Sequence, residues 1–155
     1  AAQVPRSNPR WEEAQQQIQR WKAQIETIQD QPILDQAEQM ASGGDVSSLQ
    51  AAIAQAEQIG QGRALSQEAR RKIRTWSAQI QQTQDQPILD QAREIASAGD
   101  LPSAIGLAQQ IRAGRALYDN AQADIRTWKK QIQAARAREA AAVLQAQVQQ
   151  ALQQA

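Results

Sequence analysis

The sequence predicts an all-α fold of tandem three-helix repeats, one long helix and two short ones each, stacked as a short α-solenoid with a long C-terminal helix. Three observations predict it. The nonapeptide QDQPILDQA occupies residues 29–37 and recurs unchanged at 84–92. Three stretches carry apolar residues at alternating steps of three and four, the mark of one buried helix face. Ala and Gln dominate the composition, Phe is absent and aromatics reach only 3%. Both favoured types are good helix formers, and the scarcity of β-branched and aromatic residues speaks against sheet.

Self-comparison extends the repeat well beyond the nonapeptide. Trp21-x-x-x-Ile25 answers Trp76-x-x-x-Ile80 and Trp128-x-x-x-Ile132, and Gly62-Arg63-Ala64-Leu65 answers Gly114-Arg115-Ala116-Leu117. The Trp spacing is 55 residues and then 52; the missing three fall between Val46 and Ile53. The organisation read from this is an N-terminal extension at 1–8 and a helical-repeat domain at 9–135. Its units cover about 11–65 and 66–117, with a partial third from 118, and 136–155 extends the C-terminal helix. The start at Ala1 lacks an initiator Met, which reads as a processed chain or a piece of a longer one.

In the first long element the stripe is Trp11, Ala14, Ile18, Trp21, Ile25 and Ile28. The second copy places Ser66, Ala69, Ile73, Trp76, Ile80 and Thr83 in the same register, and the third Tyr118, Ala121, Ile125, Trp128, Ile132 and Ala135. Asn8 with Pro9 reads as the start of the first, and Ser66 or Asp119 as caps of the later ones. Pro32 and Pro87 lack an amide hydrogen and disfavour helix in the residue before them. They predict a stop or sharp bend near Asp30 and Asp85, and new helices at about 32–42 and 87–98. Gly43-Gly44 and Gly99 would end those in left-handed caps. Asp45 and Asp100 would then cap third helices at about 46–59 and 101–112. The pair of short helices, with its small residues and Gly-Asp corner, resembles a tetratricopeptide-type hairpin in its packing.

After Trp128 the third copy meets no Gln-Pro stop. Its stripe continues through Ala134, Ala137, Ala141, Leu144, Val148, Leu152 and Ala155, with no Pro and no Gly beyond Arg115. A helix of about 40 residues would run about 60 Å, too long to fold back entirely on so small a body. Leu144, Val148 and Leu152 are therefore the candidate partner-binding residues, on a coiled-coil seam for a protein partner or for self-association. The alternative is a frayed tail.

Catalytic chemistry has little to work with. The 155 residues include no His and no Cys, which removes imidazole bases, imidazole and thiolate metal ligands, and Ser-His or Cys-His pairs. The expectation is a non-enzyme with no catalytic residue, no metal site and no cofactor. Asp30 with Asp35, and Asp85 with Asp90, form carboxylate pairs, but a pair that duplicates with the repeat reads as first-turn charge near a helix N-terminus. A glycosidase-like role is the remote alternative. Gly60-Gln61-Gly62-Arg63 lacks the Lys-Ser/Thr ending of a phosphate loop. Trp76 and Trp128 could stack a ligand or pigment in a groove, but their place on the isoleucine stripe reads as core.

Seventeen basic and sixteen acidic residues leave a charge of +1, without the one-signed face of a nucleic-acid binder. Arg70, Arg71, Lys72 and Arg74, with Arg126, Lys129 and Lys130, form the strongest basic feature. It reads as a solvated helix face, with contact to nucleic acid or an anionic membrane surface as the alternative. No apolar run approaches membrane-spanning length, so membrane contact would be peripheral or made by regions outside this chain.

The combination of Gly-Arg-Ala-Leu, Ala-x-x-x-Ile-x-x-Trp, Asp-Gln-Pro-Ile-Leu and Ala-x-x-Gly-Asp over about residues 11–135 resembles a recurring segment of large cyanobacterial helical-repeat proteins loosely labelled chromosome-segregation-ATPase-like. The resemblance implies a tandem-repeat region of a larger protein, cytoplasmic or membrane-associated, and brings no activity, since the chain has no ATP-binding loop.

Overall fold

The computed structural model describes residues 8–154, and among these every regular element is a helix. In chain order they are α1 (Trp11–Ala41), α2 (Val46–Ala56), α3 (Ser66–Ser97), α4 (Leu101–Ala108) and α5 (Tyr118–Gln154). The chain divides into two compact units, Ala1–Ile80 and Gln81–Ala155, with the division falling inside α3. The first unit holds α1, α2 and residues 66–80 of α3. The second holds residues 81–97 of α3, α4 and α5.

The expected breaks at Pro32 and Pro87 do not occur. Both prolines lie inside continuous helices of 31 and 32 residues, so each separate short helix predicted to open at a proline is the second half of a long one. An interior proline forfeits one backbone hydrogen bond and costs about 3 kcal/mol. Side-chain burial immediately beyond it offsets that cost, since Leu34 and Ala37 follow Pro32 at 0% exposure, and Leu89 and Ala92 follow Pro87 at 1% and 0%. The prolines themselves are exposed.

Each unit has its own core. In the first, Leu34 and Ala37 of α1 meet Leu49, Ala52 and Ala56 of α2, with Ala69 and Trp76 of α3 closing over them. In the second, Leu89 and Ala92 of α3 meet Ala104 and Ala108 of α4, closed by Ala121, Ile125 and Trp128 of α5. The alanines at the crossings are at 0–2% exposure, because a methyl group is all that fits between helices this close. Val46–Ala56 and Leu101–Ala108 are the short helices, ending a few residues before the predicted 59 and 112. Their caps are as expected: the Asp45 carboxylate accepts from the amides of Ser47 and Ser48, and Asp100 accepts from that of Ser103. Gly44 (φ 74°) and Gly99 (φ 95°) take the left-handed corner just ahead of these caps, a conformation that costs any other residue steric strain.

The start of α1 differs from expectation. The helix opens at Trp11, and Asn8 accepts the Arg10 amide at 2.9 Å through its side chain and the Trp11 amide at 2.9 Å through its carbonyl. Asn8 thus shapes a turn before the helix and does not cap it. The expected N-terminal extension falls almost wholly on residues outside those described, as does Ala155 of the C-terminal stripe.

Candidate functional site

Two kinds of feature stand out from ordinary helix packing: an ion-pair clamp on a buried carboxylate in each unit, and two apolar stretches, around Trp21 and Ile25 and from Leu144 to Leu152, that stand exposed among the described residues.

The clamp joins two motifs that recur in the sequence. In the first unit the loop after α2 carries Gly62 at φ 80°, which turns Arg63 back toward the middle of α1. Arg63 donates from Nε to Asp30 Oδ2 at 2.6 Å and from Nη2 to Asp30 Oδ1 at 2.8 Å, with a third bond to Gln29 Oε1 at 3.0 Å. The neighbouring Ala64 amide donates to Glu26 Oε2 at 2.9 Å. In the second unit Arg115 donates to Asp85 Oδ2 at 2.5 Å and to Oδ1 at 2.7 Å, with a further bond to Gln84, while the Ala116 amide donates to Gln81 at 3.0 Å. Asp30 and Asp85 are each 4% exposed. Planar guanidinium against carboxylate is the geometry in which an ion pair is strongest. The carboxylate raises both Arg63 and Arg115 above the usual arginine range, chiefly through these side-chain hydrogen bonds.

That arrangement corrects the reading of the carboxylates. Asp30 and Asp85 are not first-turn charges; they sit mid-helix and are consumed by an arginine. Asp35 and Asp90 are exposed and accept from Gln31 and Gln86 one turn earlier. A second charged contact ties each unit. Lys72 of α3 pairs with Glu38 of α1, and Arg93 of α3 pairs with Asp124 of α5 at 2.8 Å. By the repeat, Lys72 corresponds to Asp124 and Glu38 to Arg93, so the same bridge is built twice with its polarity reversed. The sequence held both signals, because the Gly-Arg-Ala and Gln-Asp-Gln-Pro motifs always recur together; their meeting in space was not read from it.

The tryptophans part company. Trp76 and Trp128 are core residues at 8% and 7% exposure, whereas Trp21, in the same register of α1, is 50% exposed and Ile25 beside it 55%. A shallow groove of about 410 Å³ runs past Ile18, Trp21, Lys22 and Ile25 to Arg63. At the other end of the chain, Leu144, Val148 and Leu152 of α5 are 62%, 51% and 73% exposed. Of the basic residues, Arg70, Arg71 and Arg74 lie exposed on α3 in the first unit, and Arg126, Lys129 and Lys130 exposed on α5 in the second.

No family model, curated protein or solved structure matches the chain. Among the described residues no group of His, Cys, Asp or Glu is arranged to hold a metal ion, and no helix is long and apolar enough to cross a membrane.

Proposed function

We propose that this chain is a non-catalytic helical-repeat scaffold or linker module, its units stacked as a short α-solenoid, that assembles with other protein through apolar helix faces. The observation that carries the reading is the contrast in burial along one pattern. Trp76 and Trp128, each with a helix pair beside it, are 8% and 7% exposed, and the isoleucines on either side of them are at least partly buried. Trp21 and Ile25 of α1 and the large apolar residues at the end of α5 are half exposed or more. Contiguous exposed apolar residues on a soluble chain mark interaction surfaces. Leu144, Val148 and Leu152, at steps of four on a helix without Pro or Gly, suit a helix-on-helix seam.

Sedimentation equilibrium over a wide concentration range tests this. Self-association is expected, and Leu144→Asp with Val148→Asp should abolish it while leaving the helical circular dichroism intact. An unaltered association constant in that double variant would remove the α5 stripe from the interface.

A further inference from the structure

The α1 stripe can be assigned an occupant, because the chain covers the same stripe twice elsewhere. Ala14, Ile18, Trp21 and Ile25 stand in register with Ala69, Ile73, Trp76 and Ile80, and with Ala121, Ile125, Trp128 and Ile132. In both later copies the cover has one form. It is the second half of a long helix, presenting Leu-x-x-Ala just after the Gln-Pro, together with a short helix presenting small residues (Ala52 and Ala56, or Ala104 and Ala108). We propose that residues 14–25 of α1 are a docking surface for one further helical hairpin of this repeat type, carried on a segment other than the two hairpins described here.

This rests on the assembly reading above and names the partner for one of its faces. The chain's own two hairpins are excluded, since their Leu and Ala faces are already covered by Trp76 and Trp128, and those of a second copy are covered in the same way. The tail of α5 is excluded too, because residues 136–154 contain neither the Pro-Ile-Leu nor the Gly-Asp corner from which a hairpin is made.

Charge refines the fit. A hairpin bearing Glu38 meets Lys72, and one bearing Arg93 meets Asp124. Either hairpin placed on the other's helix would set like charges together, which disfavours mispairing of near-identical units. The corresponding position on α1 is Gln17. Being neutral, it accepts a hairpin of either polarity, and a charge placed there would select one.

The test uses the full chain with residues 81–117 duplicated immediately before Trp11, in place of 1–10, which sets the added hairpin in the register that precedes Tyr118. Acrylamide quenching attributable to Trp21, taken as the difference from the matching Trp21→Phe chain, should fall from that of a half-exposed indole to that of Trp76 and Trp128. Hydrogen exchange at 14–25 should slow in parallel. Because the added hairpin carries the Arg93 equivalent, Gln17→Asp should preserve the protection and Gln17→Lys weaken it. With residues 26–65 added instead, which carry Glu38, the order should reverse. Helix gained without protection of Trp21 overturns the proposal, as does failure of both added hairpins to gain helix, since docking is what would fold them. The readout is local to α1 and independent of association through α5, so either reading can fail without the other.

Discussion

Replacing each repeat tryptophan by alanine separates coverage from register. The three indoles occupy equivalent places on three helices, so intrinsic helix propensity changes by the same amount in each substitution, and only the surroundings differ. Trp76 and Trp128 are about nine-tenths buried against packed Leu and Ala, and Trp21 is half exposed. For an aromatic that buries roughly 200 Å² when covered, the difference is on the order of 80–100 Å². At about 25 cal/mol per Å² that is about 2–2.5 kcal/mol. A buried Trp→Ala change costs about 3–5 kcal/mol, cavity included. Trp76→Ala and Trp128→Ala should therefore each fall in that range, with Trp21→Ala lower by that difference, at about 1–2.5 kcal/mol. Urea unfolding followed by far-ultraviolet circular dichroism reads the cost. Hydrogen exchange assigns it to a unit, because two compact units need not unfold in one step. A loss at Trp21 equal to that at Trp76 would refute the reasoning, for it would mean that α1 is covered in the native state by something the fold does not show.

Asp30→Ala and Asp85→Ala should each destabilise their own unit clearly more than Asp35→Ala does. Asp35 loses only an exposed bond to Gln31, worth under about 0.5 kcal/mol, whereas the others leave Arg63 or Arg115 without its carboxylate; equal unfolding midpoints for all three variants would deny the clamp its role. Pro32→Ala should raise stability by about 1–3 kcal/mol, restoring a hydrogen bond in a helix that already runs through the site, and a loss of stability in urea unfolding would show that the proline is needed there. Acid should weaken the caps. Asp45 is held well below the usual carboxylate range by the hydroxyl and amide bonds of Ser47 and Ser48, and Asp100 is held low by those of Ser103. A depressed carboxyl contributes stability that is fully present above its unfolded value, near 4, and is lost as pH falls through its folded one. The stability gap between the native chain and Asp45→Ala should be constant from pH 8 to pH 5 and close only in strong acid; a gap that closes by pH 5 would contradict the depressed value.

The helices, their stripes and their Asp and Gly punctuation were legible because each depends on local chemistry. A stripe at steps of three and four, a carboxylate ahead of free amides and a glycine at positive φ are all decided within a few residues of chain. Pro32 and Pro87 were misread because their local rule is outvoted from outside. The residues just beyond each proline are buried by the next two helices of the chain, beyond the reach of the local rule, and that burial is worth more than the missing hydrogen bond. The Arg63–Asp30 pair, thirty-three residues apart, was hidden for the same reason, since pattern along one chain segment does not say which motif of another it meets.

The stripe at Trp21 shows the limit from the opposite side. Its pattern is as good as those of Trp76 and Trp128, and on pattern alone all three are core. Register establishes only that a face is made to be covered; whether it is covered depends on a hairpin lying next to it. Buried and exposed copies of the stripe are therefore one sequence signal here, told apart by whether a hairpin stands beside the stripe. On the docking proposal, a repeat chain built this way needs no dedicated binding residues at the α1 face, because the uncovered copy of its core would itself be the interface for one more hairpin.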